Sequence, residues 1–200
     1  MTNHLDPMTT LQQKKMEFTR NLILDAACEL THELDVDEIS FKKVAQHANI
    51  SERTIFRYFE SRDTFLNELT ALLYQQLALP MLPTTINQLP DYISHFYTKL
   101  DSQPRQVLVL LKGEVFQRVL STTAKQRLTE LTQLLTEAYP HAAEQEIVRT
   151  AANIRYNLSA SSWRYYRVYF EFDLKTCIEC TQMLVAQSLQ HLHKVNLDTN

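Results

Sequence analysis

Apolar side chains recur every three or four residues through most of this chain, the spacing that places them on one face of a helix. Leu22, Ile23, Ala26, Ala27, Leu30 and Leu34 predict a first amphipathic helix over residues 18–34. After the acidic turn at residues 35–38, Ser40 stands as an N-cap whose hydroxyl takes an otherwise unpaired backbone N–H. Phe41, Val44, Ala45 and Ala48 then line a short second helix. It stops at Asn49, a residue type that tolerates left-handed backbone, and Ser51 caps a third helix after a tight turn. There Ile55 and Phe59 point inward one turn apart, leaving Arg53, Thr54 and Arg57 on or near the outer side. Ser61 caps a fourth helix with Phe65, Leu69, Leu72, Leu73 and Leu77 inward, and Pro80 and Pro83 end it at about residue 79.

The rest of the chain reads the same way. Beyond a linker at residues 80–90, one helix is predicted over residues 90–100, and Pro104 opens another that runs past Gly113 to about residue 120. Thr122 or Thr123 caps a seventh helix, with Leu128, Leu131, Leu134 and Leu135 inward, which Pro140 ends. The longest helix is expected over residues 142–170. Asp173 caps a last one, in which Leu174, Ile178, Leu184, Val185, Leu189 and Leu192 form a stripe. The chain is therefore expected to be all-α with about nine helices: a flexible arm over residues 1–16, a three-helix helix-turn-helix domain over 17–79 including the start of a linking helix, and a helical domain over 80–200, whose ligand-binding and dimerisation roles are implied by the family resemblance given below.

Composition sharpens that picture mainly by exclusion. A single glycine, Gly113, argues against tight hairpins and removes every glycine-rich phosphate loop and dinucleotide fingerprint. Hydrophobic residues at 44% and charged residues at 22% are ordinary for a globular protein, which argues against a disordered or fibrous chain. No apolar run is long enough to span a membrane, and the N-terminus lacks the order of a signal peptide. Cys28, Cys177 and Cys180 are odd in number, so reduced thiols and a cytoplasmic location are expected.

The net charge of −3 argues against nucleic-acid binding until its distribution is considered. Lys42, Lys43, Arg53, Arg57 and Arg62 are opposed within their stretch only by Glu52 and Glu60. That basic island coincides with the two short helices and the turn between them, the arrangement that sets a recognition helix in the major groove. Arg57 is the expected base reader, since Arg donates two coplanar bonds to guanine N7 and O6. Arg53 and Thr54 lie in the first turn beside it, while Lys42, Lys43 and the helix start at Arg62 are placed for phosphates. Lys14, Lys15 and Arg20 precede or open the first helix and read as a solvated tail, or, as the family resemblance given below implies, as an arm towards the minor groove.

The runs ILDAACEL, ISFKKVAQHANIS and RTIFRYFESRDTFLNEL resemble the N-terminal domain of the TetR family of bacterial regulators over residues 22–72. The resemblance implies a homodimer that binds a palindromic operator and leaves it when a small molecule enters the C-terminal domain. It places Thr54, Phe56, Arg57 and Tyr58 at recognition-helix positions, with Ser51 opening that helix, and sets Arg62 where the family has a phosphate-binding lysine. Three positions depart from the pattern. Asp35 and Asn49 replace glycines, and Phe56 stands where a tyrosine hydroxyl commonly meets a phosphate.

Beyond residue 79 the resemblance is one of helix order alone. The densest aromatic segment holds Trp163, Tyr165, Tyr166, Tyr169, Phe170 and Phe172 and serves either core and dimer packing or one flank of a pocket. Such a pocket would gather Tyr92, Phe96, Phe116, Tyr156 and Trp163, with Arg118, Asn153 and Arg155 orienting a polar group. Cys177 and Cys180 have the spacing of a zinc pair, but no second pair lies nearby, so two small thiols are expected and no metal or cofactor. No nucleophile, base and orienting residue can be assembled, so the expectation is no enzyme. The partners expected are double-stranded operator DNA, a second copy of the chain through the last two helices, and an effector, with no membrane. A helical protein-interaction adaptor with vestigial DNA binding is the alternative.

Overall fold

The computed structural model describes residues 7–198, and every regular element in that span is helical. The chain divides into two compact units, Met1–Tyr74 and Gln75–Asn200.

In the first unit α1 spans Pro7–Leu30, so the helix begins well inside the stretch expected to be an arm; residues 1–6 of that arm lie outside the described residues. A short 3-10 turn, Val36–Glu38, leads to α2 (Phe41–His47), α3 (Glu52–Tyr58) and α4 (Arg62–Gln76). The caps lie where the sequence places them. Ser40 Oγ accepts from the Lys43 N–H at 3.3 Å, Ser51 Oγ from Thr54 at 3.1 Å, and Ser61 Oγ from Thr64 at 3.1 Å. Asn49 adopts φ 53°, and the N–H groups of Asn49 and Ile50 turn back to the carbonyls of Gln46 and Ala45. This left-handed cap ends α2 and redirects the chain into α3. Ile23, Ala27, Val44, Ile55, Phe59 and Phe65 form the core, all fully buried. Phe41 makes edge contacts with Phe56 and Phe65, and Phe65 with Phe59, which locks the start of α2 to α3 and α4.

The second unit contains α5 (Leu89–Asp101), α6 (Pro104–Leu110), α7 (Gly113–Ala138), α8 (Glu144–Asn157), α9 (Ala160–Arg164) and α10 (Leu174–Asp198). Two sequence expectations are corrected here. The helix opened by Pro104 stops at Leu110, because Gly113 takes φ 38° and starts α7 afresh. That helix then runs unbroken through Thr122 and Thr123, whose hydroxyls donate to the carbonyls of Arg118 and Val119 four residues back instead of capping. The expected long helix over residues 142–170 is likewise divided. Leu158 leaves helical geometry, Ser159 caps α9 through the Ser162 N–H at 3.1 Å, and the chain continues as a π-turn, Tyr165–Tyr169. Asp173 caps α10, its carboxylate accepting from the Thr176 N–H at 2.7 Å.

Helix α10 packs on both α5 and α8, and α8 also on α7. Cys177, Thr181, Val185 and Leu192 form its buried edge. Inside, Thr181 Oγ1 donates to Tyr97 Oη at 2.8 Å, and Tyr97 donates in turn to the Asn157 carbonyl at 2.9 Å, tying α5, α8 and α10 through one chain of bonds.

Candidate nucleic-acid interface

Helix α3 is two-faced over a short length. Ile55 and Phe59 are fully buried, whereas Arg53, Phe56 and Arg57 stand exposed and Thr54 and Tyr58 are half-buried. Ser51 opens the helix at the surface, its hydroxyl also 2.8 Å from Thr54 Oγ1. Lys42 and Lys43 are exposed in the first turn of α2. The unit thus presents exposed basic side chains on a helix anchored in the core.

Arg57 has its guanidinium carbon 5.2 Å from the centroid of the Tyr58 ring. The Tyr58 phenol is held below its ordinary range chiefly by the hydroxyl of Thr19 on α1, with burial opposing and Arg57 adding to the lowering. Tyr58 therefore connects the recognition helix to α1. Phe56 is 56% exposed yet keeps its ring against Phe41, so it offers apolar surface in place of a phenolic donor.

Two arginines are arranged differently from the sequence reading. Arg62 donates from Nη1 to the Ile39 carbonyl at 2.6 Å and from Nη2 to the Val36 carbonyl at 3.1 Å, so its guanidinium faces the loop between α1 and α2. Arg20 belongs to neither an arm nor a tail. Its Nε donates to Glu68 Oε2 at 2.7 Å, its Nη2 to Glu68 Oε1, and its Nη1 to the Tyr58 carbonyl at 3.2 Å. Lys14 and Lys15, in contrast, are exposed on α1. The sequence carried no signal for either arginine's partners, because those lie in other helices and loops.

Residues 23–69 match the family described as bacterial regulatory proteins, tetR family. That span covers α2, the turn and α3 together with the last third of α1 and the first half of α4. The match lies on the first unit alone. The fold agrees over a longer stretch. A solved structure described as a TetR-like transcriptional regulator from Rhodococcus sp. RHA1 superposes with a TM-score of 0.59 at 18% identity, covering 85% of this chain and 94% of that one. No curated protein matches the chain. The matched span contains the exposed face of α3 with Arg53, Phe56 and Arg57.

The residues proposed from sequence to line an effector pocket do not all converge. Tyr92 and Phe96 are buried on α5 with ring centroids 6.0 Å apart, and Trp163 is buried with its indole N–H donating to Asp101 at 3.2 Å. Phe116 and Arg118 are half-buried on α7, where Arg118 reaches Glu114 at 3.4 Å, and Arg155 donates to the Leu158 carbonyl at 2.6 Å. Asn153 and Tyr156 lie apart from these, on the outer face of α8. They line an open groove of about 410 Å³ with Leu184, Ser188 and His191 of α10, and Tyr156 is 72% exposed. Sequence reasoning missed the Asp101 centre altogether: besides Trp163 it receives Arg167 Nε at 2.6 Å, which pins the π-turn to the end of α5. Among the described residues no three His, Cys, Asp or Glu side chains cluster as metal ligands, and no helix is long and apolar enough to cross a membrane.

Proposed function

We propose that this protein is a cytoplasmic transcriptional repressor that binds a palindromic DNA operator as a homodimer and is released by a small-molecule inducer, with no catalytic turnover. The observation that carries the reading is α3: Ile55 and Phe59 anchor it in the core while Arg53 and Arg57 stand free to meet DNA, within a matched TetR-family domain. Arg57 reads a guanine edge. Ser51, Arg53, Thr54, Phe56 and Tyr58 shape the contact around it, and Lys42 and Lys43 meet flanking phosphates. Because the cationic surface is an island in a chain of net charge −3, affinity rests on few phosphate contacts and its fall with salt is correspondingly shallow, at about 0.9 in slope per contact.

Dimerisation is assigned to α8 and α10. Tyr156, which lines the groove, and Met183 and Leu197 on α10 are exposed apolar groups of these helices, and a two-fold axis would pair the same face of each copy. Asn153 and Tyr156 accordingly move from the effector site to this face. The inducer is assigned to the interior near Tyr92, Phe96, Phe116 and Trp163, with Arg118 and Arg155 as polar partners. To act, it must bind more tightly to a dimer conformer whose two reading heads no longer match successive major grooves.

Selection of duplexes from a randomised pool by the purified protein tests the reading. The expected product is an inverted repeat of short half-sites. A pool with no enrichment at low salt rejects DNA reading, and enrichment of a single unrepeated half-site rejects the dimer.

A further inference from the structure

Of the three bonds from Arg20, one reaches the last turn of α3 and two reach Glu68 on α4. Helix C-termini leave carbonyls without intrahelical partners, and Arg20 Nη1 donates to one of them, Tyr58 O. The same guanidinium lies over the ring of Phe59, with its carbon 4.9 Å from the centroid, and Phe59 is fully buried. The remaining edge makes a two-point fork on the Glu68 carboxylate of α4. Arg20 on α1 thus holds Tyr58 by its carbonyl, and Tyr58 directly follows Arg57.

We infer that Arg20 is a positioning residue for DNA reading: braced by Glu68, it fixes the end of α3, and with it the aim of Arg57, without touching DNA itself. This rests on the proposed DNA-binding function. The chemistry requires arginine at this site, since the planar guanidinium supplies a fork for the carboxylate, a further donor for the carbonyl and a flat face for the ring. A lysine ammonium is a point charge that cannot do all three. Glu68 is equally specific to the arrangement. On a surface that approaches phosphates an acidic side chain is unfavourable, and here it holds the arginine's fork, with the pair only partly exposed at 39% and 29%.

Two accounts of Arg20 predict opposite results. A phosphate contact contributes about 0.9 to the slope of log K against log salt, and its loss weakens every duplex alike. Positioning leaves the slope unchanged and weakens the selected sequence alone. The experiment measures fluorescence anisotropy of Arg20→Lys, Arg20→Met and Glu68→Gln on the duplex enriched by the wild-type protein and on a scrambled duplex of equal length, over a salt series. All three variants are expected to lose about tenfold on the selected duplex, the scale of one charge-assisted hydrogen bond, with scrambled-duplex binding and the salt slope unchanged. Glu68→Gln is decisive even if an Arg20 variant folds poorly. It keeps the arginine's charge and removes a negative one, so a direct phosphate contact predicts equal or tighter binding to both duplexes. That result, a slope reduced by about 0.9 in Arg20→Met, or wild-type selectivity in Arg20→Lys overturns the inference. If the wild-type protein enriches no duplex, the DNA-binding reading falls and the inference with it.

Discussion

Arg57 rests on the Tyr58 ring in the free protein and must leave or share that contact to meet a base. Arg57→Ala is expected to cost about 1 to 3 kcal/mol on the selected duplex and to relax preference at one base pair of each half-site, read by competition with singly substituted duplexes. The thiols give a second prediction. Burial, reinforced by Asp25 and Glu29, pushes the Cys28 thiol up from 9.0 to about 12, and burial pushes Cys177 up to about 11. A raised folded value means that the unfolded chain releases its protons first. Stability from these groups is therefore complete below pH 9 and lost as pH rises towards 11 and 12. Melting temperatures measured across that range should fall, and Cys28→Ala should fall less steeply. At neutral pH, half-buried Cys180 should alkylate before the other two, as peptide mass mapping would show. At this scale the capping serines and Asp173 were legible in the sequence, because each bonds a residue three positions on. Arg20 and Arg62 were not, because the fork of an arginine looks the same in sequence whether it faces a phosphate or a carbonyl.

Helix ends decide most of the differences between expectation and structure. Gly113 interrupts what periodicity alone joins: residues 104–120 keep a helical pattern, but a φ of 38° cannot belong to a right-handed helix. A Cβ at Gly113 would meet nothing within 4 Å, so the only penalty for Gly113→Ala is backbone strain. The expected cost is about 1 to 2 kcal/mol in urea unfolding. A loss well above that would mean that α6 and α7 repack. Thr122 and Thr123 show the opposite error, since threonine hydroxyls in a helix interior satisfy themselves on the preceding turn and read as caps only when the chain beyond them is unknown. The aromatic segment after Ser159 is held by Arg167, which donates to Asp101 and, at 2.5 Å, to the Phe172 carbonyl. Trp163, the one tryptophan, donates to the same carboxylate. Asp101→Ala should therefore both lower the melting temperature and shift Trp163 emission. Unchanged emission would show that the indole is held without the carboxylate.

On the scale of the whole molecule, the proposed dimer makes the reading head bivalent, and affinity for a palindrome then depends on a face far from the DNA contacts in sequence. Tyr156 and Met183 are 72% and 56% exposed in the single chain. The double variant Tyr156→Glu, Met183→Glu is expected to be a monomer by light scattering and to bind the full palindrome no better than a half-site. Each copy should remain folded, since neither side chain belongs to the core. A variant that stays dimeric places the interface elsewhere. The groove beside Tyr156 also separates two residues of the effector pocket drawn from sequence, Asn153 and Tyr156, from the rest. Asn153 and Tyr156 share a helix with the fully buried Ile154, and α8 turns them to its opposite side.

The sequence by itself determined the helical class, the two-faced α3, the left-handed Asn49 turn and the caps on α2, α3, α4 and α10. All of these rest on interactions within about one helical turn, where spacing along the chain and spacing in space are the same. Tertiary structure alone decided that Arg20 grips Tyr58 and Glu68, 38 and 48 residues away, and that Asp101 holds Trp163 and Arg167, 62 and 66 residues away. It also decided that Thr181 meets Tyr97 across 84 residues. Such pairs depend on which helix faces lie against each other. A pattern of apolar positions marks the face a helix buries, and packing selects the neighbour that covers it.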